Sequence, residues 1–203
     1  MSAVVLASPP VRDDDAALVA GLRAGDEQAF VALVRDYQPT LLRLAEATVG
    51  SRAVAQEVTQ DTRLAVMRGV DRFEGRSSLK TWLFRILLNR ARSAADREQR
   101  AGRPEAIDDE RFDASGAWAD PPEPWADRAD DRLLAAQLAE RVRSLLTELP
   151  ESQRQVVVLR DVEGLPAAEV AELLGVSDGN QRVLLHRARA RLRHLLAEEV
   201  ISS

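Results

Sequence analysis

The segment from Leu149 to Arg193 reads LPESQRQVVVLRDVEGLPAAEVAELLGVSDGNQRVLLHRARARLR and contains two helical patterns separated by a tight turn. Apolar side chains recur at helical spacing up to Leu174, where the first pattern stops. Gly175 can adopt the left-handed conformation that ends a helix, and Ser177 is a preferred N-cap for the next one. Two helices joined by so short a turn cross steeply, so the segment predicts a helix-turn-helix.

The second helix of this unit, from Asp178 to about Glu198, has an apolar side and a separate basic side. The apolar side holds Leu185, Ala188, Leu192 and Leu195, and the basic stripe holds Arg182, His186, Arg189 and Arg193. Five arginines and no acidic residue lie between Arg182 and Arg193. This pattern predicts contact with DNA phosphates and with a few base edges, and a solvated arginine face is the alternative.

Composition and charge favour a helical protein in two parts. Aromatic residues make up only 4% of the 203 residues, whereas Ala, Leu, Val and Arg are abundant. The net charge of −5 divides unevenly, with +2 in residues 1–100, −7 in residues 101–140 and zero in residues 141–203. Residues 68–100 carry nine basic and four acidic side chains and form a second basic zone. We expect an all-α fold of two small helical domains joined by an acidic flexible linker.

Several classes of site are excluded by residue content. The chain has no cysteine, and its two histidines, His186 and His194, lie among arginines, so we expect no disulfide, no metal and no cofactor. Glu57 and Asp61 share a helix face, but no histidine, cysteine or glycine-rich loop accompanies them, so we expect no enzyme and no catalytic residues. The first residues lack the features of a signal peptide and no apolar stretch reaches the length of a membrane span. We therefore expect a cytoplasmic protein without membrane contact of its own.

The N-terminal half begins with a segment whose composition disfavours a packed structure, and helical patterns follow it. Residues 1–15, with two prolines and the run Asp13 to Asp15, are predicted to be disordered. Asp26 can cap a long helix, which Pro39 is expected to kink or break. A further helix is predicted from Arg52 to about Arg68. A turn-rich loop then precedes an apolar helix face of Leu79, Trp82, Leu83, Ile86 and Leu87.

The stretch from Ala53 to Arg92, AVAQEVTQDTRLAVMRGVDRFEGRSSLKTWLFRILLNRAR, together with the helix-turn-helix resembles the extracytoplasmic-function group of bacterial RNA polymerase sigma factors. The resemblance covers nearly everything except the extreme N-terminus. It implies a domain at residues 16–100 that binds core polymerase and reads and melts the −10 element. It further implies a linker at 101–130 and a −35-reading domain at 131–203. Two matched blocks in order are more specific than a lone helix-turn-helix.

The same resemblance implies site residues in the first domain. It assigns Glu57, Gln60 and Asp61 to the clamp helices of the largest polymerase subunit, although an ordinary solvated face is the alternative. It assigns a further group to the −10 element: Phe73, Arg76, Ser77, Lys80, Asn89, Arg90 and Arg92. A base flipped out of the duplex would be captured near the loop Phe73 to Ser78. Because Trp82 lies on the apolar face, we expect it in the core and Phe73 or a loop polar group at the base.

In the recognition helix the chain departs from the pattern G-T-V-K-S-R-L-H-R that is common in the family, and reads GNQRVLLHR from Gly179 to Arg187. The amides of Asn180 and Gln181 suit adenine, and Arg182 suits guanine or a phosphate. We expect Arg187→Ala to weaken binding to all sequences and Gln181→Ala to relax preference at one or two base pairs. The predicted −35 contacts are Ser177, Asn180, Gln181, Arg182, His186, Arg187 and Arg189.

The acidic segment and the partners complete these expectations. In the family the linker threads through polymerase channels built for polyanions, so we expect the acidic linker to occupy them, with a plain tether as the alternative. The resemblance implies core RNA polymerase, promoter DNA and an anti-sigma factor as partners of an alternative sigma factor. A one-component helix-turn-helix regulator that binds duplex DNA alone is the other possibility, but no ligand pocket or dimer interface is evident in the sequence.

Overall fold

The computed structural model describes residues 13–49, 51–100, 141 and 144–201, and within that part of the chain all regular structure is helical. The α-helices are α1 (Asp13–Arg23), α2 (Glu27–Val49), α3 (Arg52–Gly69), α4 (Leu79–Arg100), α5 (Glu151–Val157), α6 (Ala167–Leu174) and α7 (Asp178–Ile201). A 3-10 turn at Val70–Arg72 follows α3, and a π-helical turn at Val158–Val162 follows α5. The all-α prediction is confirmed. The predicted linker at 101–130 and residues 1–12 lie outside the described residues.

The N-terminal boundary of the first domain differs from the prediction, because α1 already begins at Asp13. Asp15 is buried, and its Oδ1 accepts a hydrogen bond of 2.9 Å from the hydroxyl of Tyr37 in α2. Acidic residues in the first turn of a helix are also favoured by the helix dipole. The prediction of disorder was therefore wrong for Asp13–Asp15, since charge density alone does not reveal a buried partner.

Helix α2 begins directly after the predicted cap, Asp26. The Oδ1 of Asp26 accepts a 2.8 Å hydrogen bond from the N–H of Gln28, which satisfies a free donor at the helix start. We expected Pro39 to kink or break this helix, and the break does not occur, because the helix continues through Pro39 to Val49. Pro39 is exposed, and the carbonyl that loses its N–H partner there can be hydrated.

Helix α4 forms the centre of the first domain and packs against both α2 and α3. Leu83, Phe84, Leu87 and Ala91 are completely buried, and Leu88 is nearly so. The buried surface is therefore wider than the single apolar face that the sequence predicted, because neighbours lie on two sides of the helix. Each such leucine contributes roughly 1.5–3 kcal/mol by burial.

The second domain comprises α5, the π-helical turn, α6 and α7. Its core includes Val156, Leu159, Val170 and Ala188, all fully buried. The two domains touch, with α5 and the π-helical turn against α2, and α6 against α4. The apolar residues of both domains form one continuous core within the described part of the chain.

The close approach of α1 and α2 predicts that Gly21→Ala destabilises the first domain. A Cβ atom at position 21 would lie 2.7 Å from the Cβ of Ala29, which cannot rotate away. We expect the free energy of unfolding to fall by about 1–3 kcal/mol despite the better helix propensity of alanine. Chemical denaturation measures this change. The control is Gly69→Ala, whose Cβ would meet its nearest atom, in Trp82, at 3.9 Å. An equal loss in both variants would contradict the explanation.

Candidate nucleic-acid interface

The turn between α6 and α7 has the geometry that the sequence predicted. Gly175 has φ 70° and ψ 32°, and the N–H of Val176 donates to the carbonyl of Ala171 at 3.0 Å. Ser177 caps α7, since its Oγ accepts a 3.2 Å hydrogen bond from the N–H of Asn180. These contacts fix the start of α7, the helix that would enter a DNA groove.

The outer face at the start of α7 brings together four of the predicted DNA contacts. Ser177, Asn180, Arg182 and His186 are all exposed, and Arg187 is half-buried. The first three turns of α7 therefore present an amide, a guanidinium and an imidazole to solvent. Such side chains can donate hydrogen bonds to base edges and phosphates.

Gln181 is the exception, because it lies inside the second domain with only 1% of its surface exposed. Its Nε2 is buried and has no hydrogen-bond partner. The prediction that Gln181 reads adenine was therefore wrong for this conformation. The buried positions Leu185 and Ala188 follow Gln181 at helical spacing, so the apolar side of α7 includes position 181. The polar residue type concealed this periodicity.

Val183 is a candidate contact that the sequence analysis missed. It lies one position after Arg182 and three after Asn180, and 39% of its surface is exposed. An apolar side chain on the groove-facing side of a recognition helix can contact the methyl group of thymine. Once Gln181 is assigned to the buried side of α7, helical spacing places Val183 on the exposed side. This spacing could have identified Val183 from the sequence.

Arg189 has a partner within the protein. Its Nε and Nη2 donate to the two carboxylate oxygens of Asp161 at 2.9 and 2.6 Å. These hydrogen bonds raise the pKa of the Arg189 guanidinium above its ordinary value and outweigh the opposing effect of burial. Arg189 therefore orients the π-helical turn against α7, and only its remaining donors are available to a phosphate.

The aromatic pair beside the loop agrees with the prediction only in part, because Trp82 packs against the apolar core as expected but Phe73 is buried as well. Phe73 is buried, with 6% exposed, whereas Trp82 is only half-buried. Their ring centroids are 5.2 Å apart with a tilt of 53°. The carbonyl of Phe73 accepts a 2.5 Å hydrogen bond from Arg23 of α1, which holds this segment against the core. The prediction that the Phe73 ring stacks on a base was wrong for this conformation, and Trp82 is the more accessible aromatic ring.

The loop before α4 presents polar groups. Arg76 is exposed and forms an ion pair with Glu74, and Ser77 is half-buried. Ser78 caps α4, since its Oγ accepts a 3.1 Å hydrogen bond from the N–H of Thr81. The loop therefore carries accessible hydrogen-bonding groups without an exposed phenyl ring.

The remaining −10 residues lie on α4, and two of them contact the second domain. Asn89 is exposed, and Arg90 lies 3.8 Å from Asp61 of α3. By contrast, Lys80 contacts Glu163 at 2.8 Å and Arg92 donates to the carbonyl of Leu173 at 2.7 Å. The predicted −10 surface is thus partly covered by the helix-turn-helix domain.

The predicted polymerase-binding residues share one side of α3. Glu57 and Gln60 are exposed and Asp61 is half-buried. A hollow of about 100 Å³ between α3 and α4 is lined by Glu57, Val58, Asp61, Arg90, Ser93, Ala94 and Arg97. The mixed charge and small volume of this hollow suit a protein partner better than a small molecule.

The described residues hold no group of three or more His, Cys, Asp or Glu side chains placed to bind a metal ion. In the same part of the chain, no helix is long and apolar enough to cross a membrane.

Two family models match the chain, one in each helical domain. The Sigma-70 region 2 model matches residues 33–101, and the Sigma-70 region 4 model matches residues 139–192. The ECF RNA polymerase sigma-E factor of Salmonella typhimurium is 32% identical over 178 residues, which is 86% of this chain and 90% of that protein. The ECF RNA polymerase sigma factor SigM of Mycobacterium tuberculosis is 34% identical over 184 residues, or 90% and 84% of the two chains.

Solved structures share the fold. CnrH, solved in complex with the cytosolic domain of CnrY, matches with a TM-score of 0.59 and 28% identity over 92% of this chain and 99% of that chain. The sigma factor RpoE of Bartonella quintana, solved with the anti-sigma factor NepR, matches with a TM-score of 0.55 and 26% identity over 82% and 97% of the chains.

The burial of Gln181 predicts that Gln181→Met stabilises the protein and leaves DNA sequence preference unchanged. Methionine fills a similar volume and removes a buried donor that has no partner. We expect the free energy of unfolding to rise by about 1 kcal/mol. Chemical denaturation and DNA-binding selection measure the two effects. A loss of stability together with a new base preference would show that Gln181 reads DNA after all.

Proposed function

Because the chain belongs to the extracytoplasmic-function group of RNA polymerase sigma factors, we propose that it binds core RNA polymerase and directs initiation at specific promoters. The observation that carries this proposal is the order of the two family matches, with a well-formed helix-turn-helix inside the second. The chain would act in the cytoplasm as a specificity subunit. Its family is not one of catalytic enzymes, and all catalysis would belong to the polymerase.

We propose that the two domains read two promoter elements. Helices α1 to α4 would read and melt the −10 element, with Arg76, Ser77 and Asn89 at the DNA and Trp82 as the accessible ring for an unpaired base. Helix α7 would read the −35 element through Asn180, Arg182, Val183 and His186. The exposure of these α7 side chains on one face supports this assignment.

We propose that α3 binds the polymerase. Glu57 and Gln60 are exposed next to Asp61, and none of the three belongs to the apolar core. Acidic and amide side chains on an otherwise stable helix can be varied without loss of the fold. This surface is therefore suited to a polar protein interface.

We also propose that an anti-sigma factor restrains the protein. RpoE was solved with the anti-sigma factor NepR, and CnrH was solved with the cytosolic domain of CnrY. The present chain matches nearly the full length of both sigma factors. A partner that wraps the two domains would have to cover part of the same DNA-facing surfaces.

Run-off transcription from a promoter library tests the proposed function. Sigma-free core polymerase should initiate at a small set of promoters only when this protein is added. A double charge reversal, Glu57→Arg with Asp61→Arg, should abolish this effect by preventing assembly. The matched control, Glu27→Arg with Asp36→Arg, reverses two exposed charges on α2 and should retain activity. If no transcript forms while the protein alone shifts duplex DNA, a one-component regulator becomes the better description.

A second test concerns Val183 and the methyl group of thymine. Uracil lacks this methyl, so a thymine-to-uracil change at one −35 position should reduce initiation about fivefold, which corresponds to about 1 kcal/mol for one buried methyl group. In Val183→Ser the same change should have no further effect. Val31→Ser, at another exposed valine, should behave as the unmodified protein. Equal sensitivity to uracil in all three proteins would remove Val183 from the set of reading residues.

A further inference from the structure

Arg23, the last residue of α1, contacts the backbone of the segment that leads into the loop before α4. Its Nη2 donates to the carbonyl of Phe73 at 2.5 Å, and its Nε donates to the carbonyl of Val70 at 3.4 Å. Val70 begins the 3-10 turn and Phe73 caps its end. One planar guanidinium therefore binds the backbone at both ends of this turn.

The carbonyl of Phe73 lies where the packed chain ends and the loop begins. The ring of Phe73 is buried, whereas the next three residues, Glu74, Gly75 and Arg76, are exposed. The backbone of Phe73 is extended, with φ −72° and ψ 111°. Its ψ angle sets the direction in which the chain enters the loop. The hydrogen bond from Arg23 fixes the orientation of this carbonyl, and with it that direction.

The other end of the loop is fixed by the cap of α4. The Oγ of Ser78 accepts a 3.1 Å hydrogen bond from the N–H of Thr81, and the two hydroxyl groups lie 2.8 Å apart. Between the two fixed ends, Gly75 has a φ angle of 71°, which glycine adopts without strain. Only residues 74–77 lie between Phe73 and Ser78, so the loop has few conformations while both ends are held.

This loop carries Arg76 and Ser77, which we place at the DNA. A loop that is ordered before the DNA arrives loses less conformational entropy when it receives an unpaired base. We propose that Arg23 is a positioning residue of the −10 site, which holds the loop in the conformation that captures the base. This inference rests on the proposed function, and it adds a residue of α1 to a site otherwise built from the loop and α4.

Two simpler roles of Arg23 make different predictions. A residue that serves stability alone would change the amount of folded protein, and so would affect all promoters equally. Arg23 is also exposed, and an arginine has five N–H donors, of which two are used here. A role limited to binding a phosphate with the remaining donors would depend on its positive charge. A positioning role instead acts only where a base is captured.

The first experiment measures base preference in Arg23→Met. The fluorescence of 2-aminopurine, placed along the −10 element with the unmodified protein and core polymerase, identifies the unstacked position. Initiation is then compared on two promoters that differ only in that base. We expect the preference between the two bases to fall about fivefold in Arg23→Met, because a misplaced loop loses contacts with the captured base. Arg35→Met removes the same charge from an exposed site on α2 and should keep the preference.

An abasic site at the captured position separates positioning from stability. Without a base to capture, Arg23→Met and the unmodified protein should initiate equally when both are saturating. If Arg23→Met is weaker by the same factor on the abasic promoter and on both intact promoters, Arg23 contributes only to stability or charge, and the inference is overturned.

The conservative variant separates positioning from phosphate binding. Arg23→Lys keeps the positive charge but lacks the planar group that reaches two carbonyls, so it should lose base preference as Arg23→Met does. Full recovery by lysine would overturn the positioning role in favour of a phosphate contact. If thermal melting shows that Arg23→Met does not fold, Arg23→Lys is the test on the same promoters.

The outcomes also separate this inference from the proposed function. Initiation by the unmodified protein, together with unchanged base preference in both variants, overturns the role of Arg23 alone. Failure of the unmodified protein to direct initiation with core polymerase overturns the proposed function, and with it the −10 site to which Arg23 is assigned.

Discussion

The burial of α4 is the constraint on which the rest of the structure depends. Leu83, Phe84 and Leu87 are inaccessible to solvent because α2 and α3 pack on two sides of the helix. This packing fixes the rotation of α4 and leaves one polar strip outside the core. The strip carries Arg85 and Arg92, so its orientation toward DNA or toward the second domain follows from apolar burial and not from the charges themselves.

Helix phase and capping made much of the fold predictable from local patterns. Asp26, Gly175 and Ser177 form the caps and the turn that their residue types indicated. Predictions failed where a contact with a residue far away in the sequence determines whether a side chain is buried. Asp15 is held by Tyr37, and Phe73 is held in the core through its backbone contact with Arg23. Such contacts join residues far apart in sequence, and no local periodicity encodes them.

On the candidate DNA-binding surface, too, local sequence patterns predict some features, whereas contacts between distant residues determine others. The exposed residues of α7 follow from the apolar spacing, but only when Gln181 is counted with the buried side despite its polar amide. The interdomain contacts of Glu163 could not have been foreseen, because Arg43 and Lys80 lie more than eighty residues away. They also give a physical reason for a helix-turn-helix domain without net positive charge, since part of its acidic content faces the other domain.

Hydroxyl-radical footprinting on a selected promoter most directly tests the central claim that this chain is a two-domain specificity subunit of RNA polymerase. With core polymerase, the account predicts two separate protected DNA patches. Arg182→Ala should weaken only the upstream patch, and Asn89→Ala should weaken only the downstream patch. A single protected patch that is identical with and without core polymerase would contradict the account.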